Sequence, residues 1–435
     1  MDKKIVIIGA GVAGINAATK LVDNGYPGEL ITIIDKGNDP HNRLPEEVMT
    51  GMLGAGGWSD GKLTYHTAIG GVLSKYCGEE KAMELMDQVI SNFRRFHPKP
   101  EEIFCSDPQA EPDFIKPYFG LRLFPVWHIG SNYLHEIAKT WYSYLVDKGV
   151  KFEWETEVDK IEFANNKLHY NRMWHFEPQS EWINYDELIF AVGKSGIDFG
   201  KKLADSYQLP TEPKSVQIGV RFEAPQKYFQ KLIDVSYDFK LYQKFDNVSL
   251  RSFCTNNNAA YVAVEETYGD VSYNGHAKKG EEFRNDMTNF GILMEIKGIE
   301  NPFEWSRDVV NKLQIGGTGL YYSPLRNPSK TSEHELINTT QIFDLTAVKE
   351  VMGEYFTYVE NFINDMDKIF EFGGDYGIYI PEVKYLSPEP LVDYKNLALV
   401  DYPNVHFVGD ALSARGITVS GAQGIYVAED LLLTK

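Results

Sequence analysis

Three glycines near the start of the chain, Gly9, Gly11 and Gly14, have the G-x-G-x-x-G spacing that suits binding of a pyrophosphate. They follow a short apolar run and precede an alanine-rich stretch, which is the order strand, turn, helix. In such a unit the glycines allow a tight turn, a close approach to phosphate and close helix packing, and the helix N-terminus offers free N–H groups. Asp35 ends a second apolar run twenty-one residues after Gly14, where a carboxylate can bind ribose. The pattern predicts dinucleotide binding; the alternative is a glycine-rich turn in an ordinary α/β protein.

The composition and charge indicate how many domains the chain has and which partners it can bind. Its 435 residues suit two or three domains, and 43% hydrophobic residues are enough for a large core. The net charge of −19, without a long lysine or arginine run, argues against nonspecific binding to nucleic acid or anionic lipid. Three widely spaced cysteines without a CxxC argue against a structural zinc site and suit a reducing compartment. No stretch is apolar enough to span a membrane. Together with the cysteine usage, this leads us to expect a cytoplasmic protein without a bound metal.

The apolar patterning predicts the elements that position the motif. Residues 1–36 form a βαβ start, helices are expected at 79–96 and 132–148, and strands at 150–154 and 187–193. Between about 200 and 390 the pattern changes to strands (216–222, 248–254, 259–266) mixed with helices (227–234, 302–312, 353–370). A strand at 405–410 and a helix at 422–433 end the chain. The predicted domains are therefore 1–200, an inserted domain at 201–390, and a return to the first domain at 391–435.

Four features stand in an order that resembles the two-dinucleotide-binding-motif flavoproteins. They are the glycine turn with its acid, the strand that carries Val158, the strand end at Ala191 to Gly193, and the C-terminal Gly409-Asp410. The resemblance implies an α/β fold: a Rossmann-like, glutathione-reductase-like FAD-binding domain with an inserted α+β substrate domain. The FAD-binding residues that it implies in these segments are Gly9, Gly11, Val12, Ala13, Gly14, Asp35, Lys36, Val158, Ala191, Val192, Gly193, Gly409, Asp410, Gly416, Ile417 and Ala422.

A closer resemblance comes from the segments between these features. Residues 54–63, GAGGWSDGKL, resemble the GGAGxxSDGKL segment of a bacterial family usually called FAD-dependent dehydrogenases. Further matches lie at 128–132 (HIGSN), 216–223 (VQIGVRFE), 251–254 (RSFC), 274–275 (NG) and 409–422. The family pattern often has a second cysteine two positions after Cys254, where this chain has Asn256, and the loop after Asp35 is short. These departures weaken the case for a redox cysteine pair.

Flavin chemistry needs a hydride partner beside N5 and positive potential near N1 and C2=O. The stretch 416–422 would supply that potential from the start of the last helix, or would be an ordinary junction with Ser420 as the N-cap. The resemblance also implies that Gly57, Ser59 and Lys62 contact the cofactor. Lys62 would also act in catalysis, or be a solvated surface lysine. His66 would be an acid–base group or a hydrogen-bonded loop histidine.

The inserted domain contributes weaker candidates. Arg221 and Arg251 lie on predicted strands and would bind a substrate carboxylate or phosphate, or pair with some of the many acids. Tyr322 would belong to an aromatic substrate box or to the core. Cys254 would be a reactive thiol or a buried small hydrophobe.

Motifs that the sequence lacks limit the classes of flavin-dependent reaction that it predicts. No second strand–GxGxxG–helix unit occurs, so no dedicated NAD(P)H domain is expected, although NAD(P)H remains possible as a transient donor. The sequence predicts an FAD-dependent oxidoreductase, a dehydrogenase or oxidase, that exchanges a hydride between flavin N5 and a small organic substrate bound between the two domains. Two alternatives stay open: a flavoprotein acting on a modified nucleobase or tRNA, and a non-catalytic flavin-binding scaffold or redox sensor. The tryptophan motif of flavin-dependent halogenases is absent.

Overall fold

The computed structural model describes residues 3–44, 47–59, 61–71, 73–173, 179–212, 214–267, 270–277, 284–325, 339–385 and 389–434. These residues form two compact units. The first comprises 1–105, 127–213 and 387–435, and the second comprises 106–126 and 214–386. Residues 106–126 thus belong with the second unit, whereas the predicted domain of residues 1–200 includes them. The reason is a strand pairing, because Gly120–Arg122 is hydrogen-bonded to Lys240–Lys244.

The first unit is built on a six-stranded sheet with Ile5–Ile8 near its centre. Ile31–Ile34 and Glu187–Phe190 flank this strand, and both pair with it in parallel. All three strands are buried along their whole length, as expected of a parallel sheet with both faces covered. The full strand order is Ala398–Leu399, Tyr402–Phe407, Glu187–Phe190, Ile5–Ile8, Ile31–Ile34, Lys151–Glu153. Its Rossmann-like arrangement confirms the predicted α/β class.

Further strands and helices complete the first unit. An antiparallel sheet contains Thr156–Glu162, Lys167–Arg172 and Gln179–Asn184, and Thr211–Glu212 pairs with Glu389–Pro390. A second small sheet contains Lys62–Thr64, Val126–His128 and Phe104–Ser106, of which only the end residues Ser106 and Val126 fall within the range of the second unit. The helices are Val12–Asp23, Leu73–Cys77, Glu79–Phe96, Leu134–Asp147, Ile197–Tyr207 and Ile417–Leu433. Helix Glu79–Phe96 has its predicted bounds because its apolar spacing is regular, and its buried side chains follow that spacing.

The first and last helices of this unit pack very closely. A Cβ placed on Gly424 would lie 2.0 Å from the carbonyl oxygen of Ala13. Only glycine fits at such a contact, so Gly424 allows the last helix to lie directly against the first turn of helix Val12–Asp23.

The second unit contains an eight-stranded sheet. The strand order is Thr339–Ile342, Gly319–Tyr322, Gly377–Lys384, Val216–Pro225, Met287–Ile296, Val248–Asn258, Lys240–Lys244, Gly120–Arg122. An antiparallel ribbon, Ala260–Thr267 and Asp270–Ala277, accompanies it. The helices are Gln230–Ile233, Pro302–Lys312, Thr346–Met352 and Glu354–Phe370. The apolar side chains of Glu354–Phe370 pack with one face of the sheet, as its helical spacing indicated.

The last helix differs from its prediction. It begins at Ile417, whereas the sequence placed its start at 422. Residues 417–421 are Ile, Thr, Val, Ser and Gly, all weaker helix formers than alanine or leucine, so local propensity hides the start. Within the described residues, no helix has the length and apolar character needed to cross a membrane.

A buried carboxylate at the edge of the first unit's core gives a pH-dependent prediction. Glu187 accepts hydrogen bonds from Lys3 Nζ at 2.5 Å and from His406 Nε2 at 3.2 Å. Burial alone would raise the pKa of Glu187, but the bonds from His406 and Lys3 outweigh it and lower the pKa below its usual 4.5. The stabilisation is therefore present above pH 4.5 and is lost as the pH falls towards the lowered pKa.

We expect Glu187→Gln to flatten the acid side of the stability profile. The measurement is the free energy of unfolding in urea at a series of pH values below neutrality. The control, Glu136→Gln, alters an exposed residue of helix Leu134–Asp147 and should leave the profile unchanged. A wild-type profile as flat as that of Glu187→Gln would contradict the role of this carboxylate.

Candidate functional site

A cavity of about 320 Å³ lies in the first unit, beside the carboxyl ends of its parallel strands. This volume falls within the range of small-molecule sites. Its walls come from six separated parts of the chain, the first and last of which lie about 400 residues apart. The lining residues are Ile8, Gly9, Gly11, Val12, Ala13, Ile34, Asp35, Lys36, Met49, Thr50, Leu53, Gly54, Ala55, Gly56, Ser59, Thr156, Glu157, Val158, Ala191, Val192, Gly193, Lys194, Ser195, Gly196, Phe199, Gly409, Asp410, Gly416, Ile417 and Ser420.

The three glycines of the first motif have three different surroundings. Gly9 has a φ of +106°, and a Cβ on it would lie 2.3 Å from the carbonyl oxygen of Ala191. A Cβ on Gly14 would lie 2.2 Å from the carbonyl oxygen of Gly9, so Gly14 packs the helix against the turn and does not line the cavity. A Cβ on Gly11 meets no described atom within 4 Å. Gly11 therefore presents bare backbone to the cavity, at the N-terminus of helix Val12–Asp23.

Asp35 is buried and lies at the cavity wall. Its Oδ2 accepts the N–H of Ala10 at 2.8 Å, and its Oδ1 accepts the N–H groups of Gly37 at 2.8 Å and Gly51 at 2.7 Å. The carboxylate therefore joins the glycine turn to the loop that follows the second strand. Since a carboxylate accepts about four hydrogen bonds, these three contacts from described residues leave about one acceptor position on Asp35.

The loop after Asp35 forms one wall. The N–H of Leu53 donates to the carbonyl of Ala10 at 2.8 Å, which holds the loop against the glycine turn. Gly54 to Gly56 face the cavity in a short 3₁₀ turn, Gly54–Trp58. Gly57 does not line the cavity, because this turn directs it to the other side, where a Cβ would lie 2.8 Å from Nη1 of Arg43.

Arg43 lies behind the same loop. Burial lowers the pKa of Arg43 from 12.5 to about 10, although the carboxylates of Asp35 and Glu47 act to raise it. Its guanidinium donates to the carbonyl oxygens of Met52 at 2.6 Å and Gly54 at 2.8 Å, and it also donates to two carbonyls nearer to it in the chain.

The C-terminal segment forms another wall, beside the loop, since a Cβ on Gly56 would lie 3.5 Å from Cγ1 of Ile417. The N–H of Gly409 donates to Oε1 of Gln423 at 2.8 Å, and Oδ1 of Asp410 accepts Nη1 of Arg415 at 2.5 Å. Gly416 precedes the helix with a φ of +98°, which glycine adopts readily. Ser420 lies inside the first turn and lines the cavity, so the N-cap role considered for it is wrong. Ala422 is buried in the core and does not line the cavity.

Another part of the cavity is lined by the start of strand Thr156–Glu162 and by the residues that follow strand Glu187–Phe190. Val158 lines it together with Thr156 and Glu157, and Gly193 lines it at a φ of +62°. Lys36 Nζ donates to the carbonyl of Ser195 at 3.2 Å in this part. Lys194 is also a lining residue, so two lysines lie here.

The structure separates the catalytic candidates from this cavity. Of the described residues, those that line it include neither Lys62 nor His66. Lys62 starts the short strand Lys62–Thr64. His66 accepts the N–H of Ala68 at its Nδ1, at 3.0 Å, which matches the loop-histidine alternative. Asp60, between Ser59 and Gly61, lies outside the described residues.

Arg221 belongs to the second unit and is fully buried, with 0% of its surface exposed. Its Nη2 donates to Glu382 at 2.9 Å and to Asn274 at 3.2 Å, and its Nη1 donates to the carbonyl of Cys254 at 3.1 Å. This geometry matches the alternative in which Arg221 pairs with an acid.

The other candidates of the second unit have different environments. Arg251 is exposed, and its Nη2 donates to Gln217 at 3.3 Å. Cys254 is partly exposed, with a φ of +52° at a strand irregularity. Tyr322 packs against the core beneath the sheet, whereas its neighbour Tyr321 points to the opposite face beside Tyr379. Tyr322 is therefore a residue of the hydrophobic core, the second of the two roles considered for it.

No group of three His, Cys, Asp or Glu side chains within the described ranges is arranged to hold a metal ion.

Sequence reasoning missed several site residues. In the glycine-rich segment, predicted Ser59 lines the cavity, whereas predicted Gly57 and Lys62 do not. Gly54 to Gly56 line it without having been predicted, in a 3₁₀ turn that the sequence pattern did not indicate. Lys194 directly follows predicted Gly193, so extending the predicted binding segment by one residue would have included it. Arg43 carries no local signal, since its contacts depend on how the loop folds back.

Comparisons with known proteins give only remote likenesses. No family model matches the chain, and no curated protein matches it. A solved flavoprotein/dehydrogenase from Cytophaga hutchinsonii is 14% identical, with a TM-score of 0.42, over 100% of this chain and 79% of that one. CmlS, a flavin-dependent halogenase, is 11% identical, with a TM-score of 0.42, over 97% of this chain and 56% of that one. CtdE, solved in complex with FAD, is 9% identical, with a TM-score of 0.36, over 99% of this chain and 89% of that one. Likenesses this distant assign this chain to no family.

Proposed function

We propose that the chain binds FAD in the cavity of its first unit and acts as an FAD-dependent oxidoreductase on a small organic substrate. The observation that carries this proposal is that one cavity gathers the glycine turn, Asp35, the strand ends and the start of the last helix. An extended dinucleotide needs contacts at both of its ends, and separated segments of one sheet supply them.

The residues fit the cofactor in three ways. Gly11 leaves room where a pyrophosphate would approach the start of helix Val12–Asp23. Asp35 keeps an acceptor position for a ribose hydroxyl after its three backbone contacts. The strand residues around Val158 would lie along the adenine, with Ala191 to Gly193 on the adenosine side.

The start of the last helix would lie beside the isoalloxazine ring and stabilise its negative charge. Its first N–H groups have no partner within the helix and give this end a partial positive charge. Gly416, Ile417 and Ser420 line the cavity there. When bound, FAD would accept or donate a hydride at N5, and these backbone groups would stabilise the negative charge of the reduced ring. NADH or NADPH would serve as a transient donor, and the substrate is a small molecule.

The test is an absorbance spectrum of the purified protein, before and after incubation with FAD, followed by anaerobic additions of NADH and NADPH. We expect flavin bands from bound FAD. Rapid bleaching by one nucleotide would identify a nicotinamide-fed reductase, and persistence would direct the search to oxidation of amines and alcohols. A protein that shows no flavin bands even after incubation would contradict the proposal. A flavin that no organic donor or acceptor turns over would favour the non-catalytic alternative.

A further inference from the structure

The loop that forms one wall of the cavity is held in place in part by the side chain of Arg43. The guanidinium of Arg43 makes five hydrogen bonds to the carbonyl oxygens of Glu47, Val48, Met52 and Gly54, between 2.6 and 3.2 Å. Every one of these acceptors is a backbone atom. Arg43 therefore organises the path of the loop itself, and not the orientation of neighbouring side chains.

The same loop is tied from the opposite side. Asp35 accepts the N–H groups of Gly37 and Gly51, and the N–H of Leu53 donates to the carbonyl of Ala10. The carboxylate of Asp35 thus binds loop N–H groups, and the guanidinium of Arg43 binds loop carbonyls. Between them the backbone follows a demanding path, since Leu53 has a φ of +64°, which non-glycine residues seldom adopt.

The packing around Arg43 shows that its site is shaped for a guanidinium. A Cβ on Gly57 would lie 2.8 Å from Nη1, so a glycine is needed there to leave room. The centre of the guanidinium also lies 5.6 Å from the ring centre of Trp58. A planar fork with five N–H donors can reach several carbonyls at once, whereas an ammonium group has three donors at one point.

We propose that Arg43 is a positioning residue of the cofactor site, which shapes the Met49–Gly56 wall of the cavity without contacting the cofactor. The inference rests on the proposed function, since it concerns how that site binds FAD. The described residues that line this wall are uncharged, so the positive charge of Arg43 is not presented to the cavity. The proposed role accounts for an arginine behind the loop, because it binds the backbone of the loop and not the cofactor. Lysine at this position would keep the charge but not the arrangement of the loop.

The experiment compares full-length wild type, Arg43→Lys and the control Arg95→Lys, which alters a half-exposed arginine of the same unit paired with Asp23. We expect Arg43→Lys to bind FAD about 10- to 100-fold more weakly, the effect of losing one or two charge-assisted hydrogen bonds. Arg43→Lys should still unfold cooperatively, as Arg95→Lys does, but with a lower thermal midpoint because carbonyls of the loop lose their donors. The visible circular dichroism of its bound flavin should also change. Wild-type affinity and dichroism in Arg43→Lys would overturn the proposal.

Two further measurements separate the possible failures. Hydrogen exchange of peptides from the 47–59 region, measured without FAD, should be faster in Arg43→Lys than in wild type. In Arg43→Ala, millimolar guanidinium should restore FAD binding where the same concentration of urea does not. If wild type itself fails to bind FAD, the proposed function falls, while unchanged exchange in Arg43→Lys would overturn the role of Arg43 separately.

Discussion

Replacing Gly11 with valine is expected to leave a folded protein that binds FAD far more weakly than wild type. A Cβ at Gly11 meets no described atom within 4 Å, so the added side chain projects into the cavity instead of into the core. It would occupy the space through which a phosphate reaches the helix N–H groups. We expect the affinity for FAD to fall at least about 100-fold, roughly 2.7 kcal/mol, measured by titration and by flavin absorbance.

Two other glycines provide controls for this prediction. Gly200→Ala adds a methyl group in ordinary contact with Phe190, outside the cavity, and should keep both fold and flavin. Gly14→Val should impair folding, because its Cβ would lie 2.2 Å from the carbonyl oxygen of Gly9. Full flavin occupancy in Gly11→Val would show that the cavity is not the FAD site.

Replacing Arg221 with methionine is expected to destabilise the second unit by about 3–5 kcal/mol, the cost of leaving one partner of a buried ion pair without the other. The guanidinium and the carboxylate of Glu382 are both almost completely buried, with Nη2 and Oε1 2.9 Å apart. The loss should appear as a lower urea midpoint and as faster hydrogen exchange in Val216–Pro225, which reports on the second unit separately.

Arg251→Met is the matched control, since Arg251 is an exposed arginine of the same sheet. Its effect should lie within about 0.5 kcal/mol. The double variant Arg221→Met/Glu382→Gln should recover part of the loss, because it removes the carboxylate left without its partner. Equal stability of Arg221→Met and Arg251→Met would show that the ion pair contributes little, and would return Arg221 to consideration as a substrate contact.

Patterns of local origin were read correctly from the sequence. The glycine turn, the apolar strands beside it and helices Glu79–Phe96 and Pro302–Lys312 have period and spacing signals that do not depend on the rest of the chain. The cavity residues next to those signals follow because parallel strand ends meet at one edge of a sheet; they are Gly9, Gly11, Val12, Ala13 and Ala191 to Gly193. Lys62, Gly57 and Ala422 were predicted from the resemblance to the flavoproteins, and none of them lines the cavity.

The sequence by itself determined that the chain has a Rossmann-like unit, and where its glycine turn and acid lie, because these features depend on short-range sterics and apolar periodicity. Only the tertiary structure decided which way each glycine faces, that Arg221 is paired with Glu382, and that Arg43 organises the wall of the cavity. These outcomes depend on contacts between residues distant in the chain or on the path of an irregular loop. No local pattern encodes them, because the energy of a buried charge or an added Cβ is set by the atoms that surround it after folding.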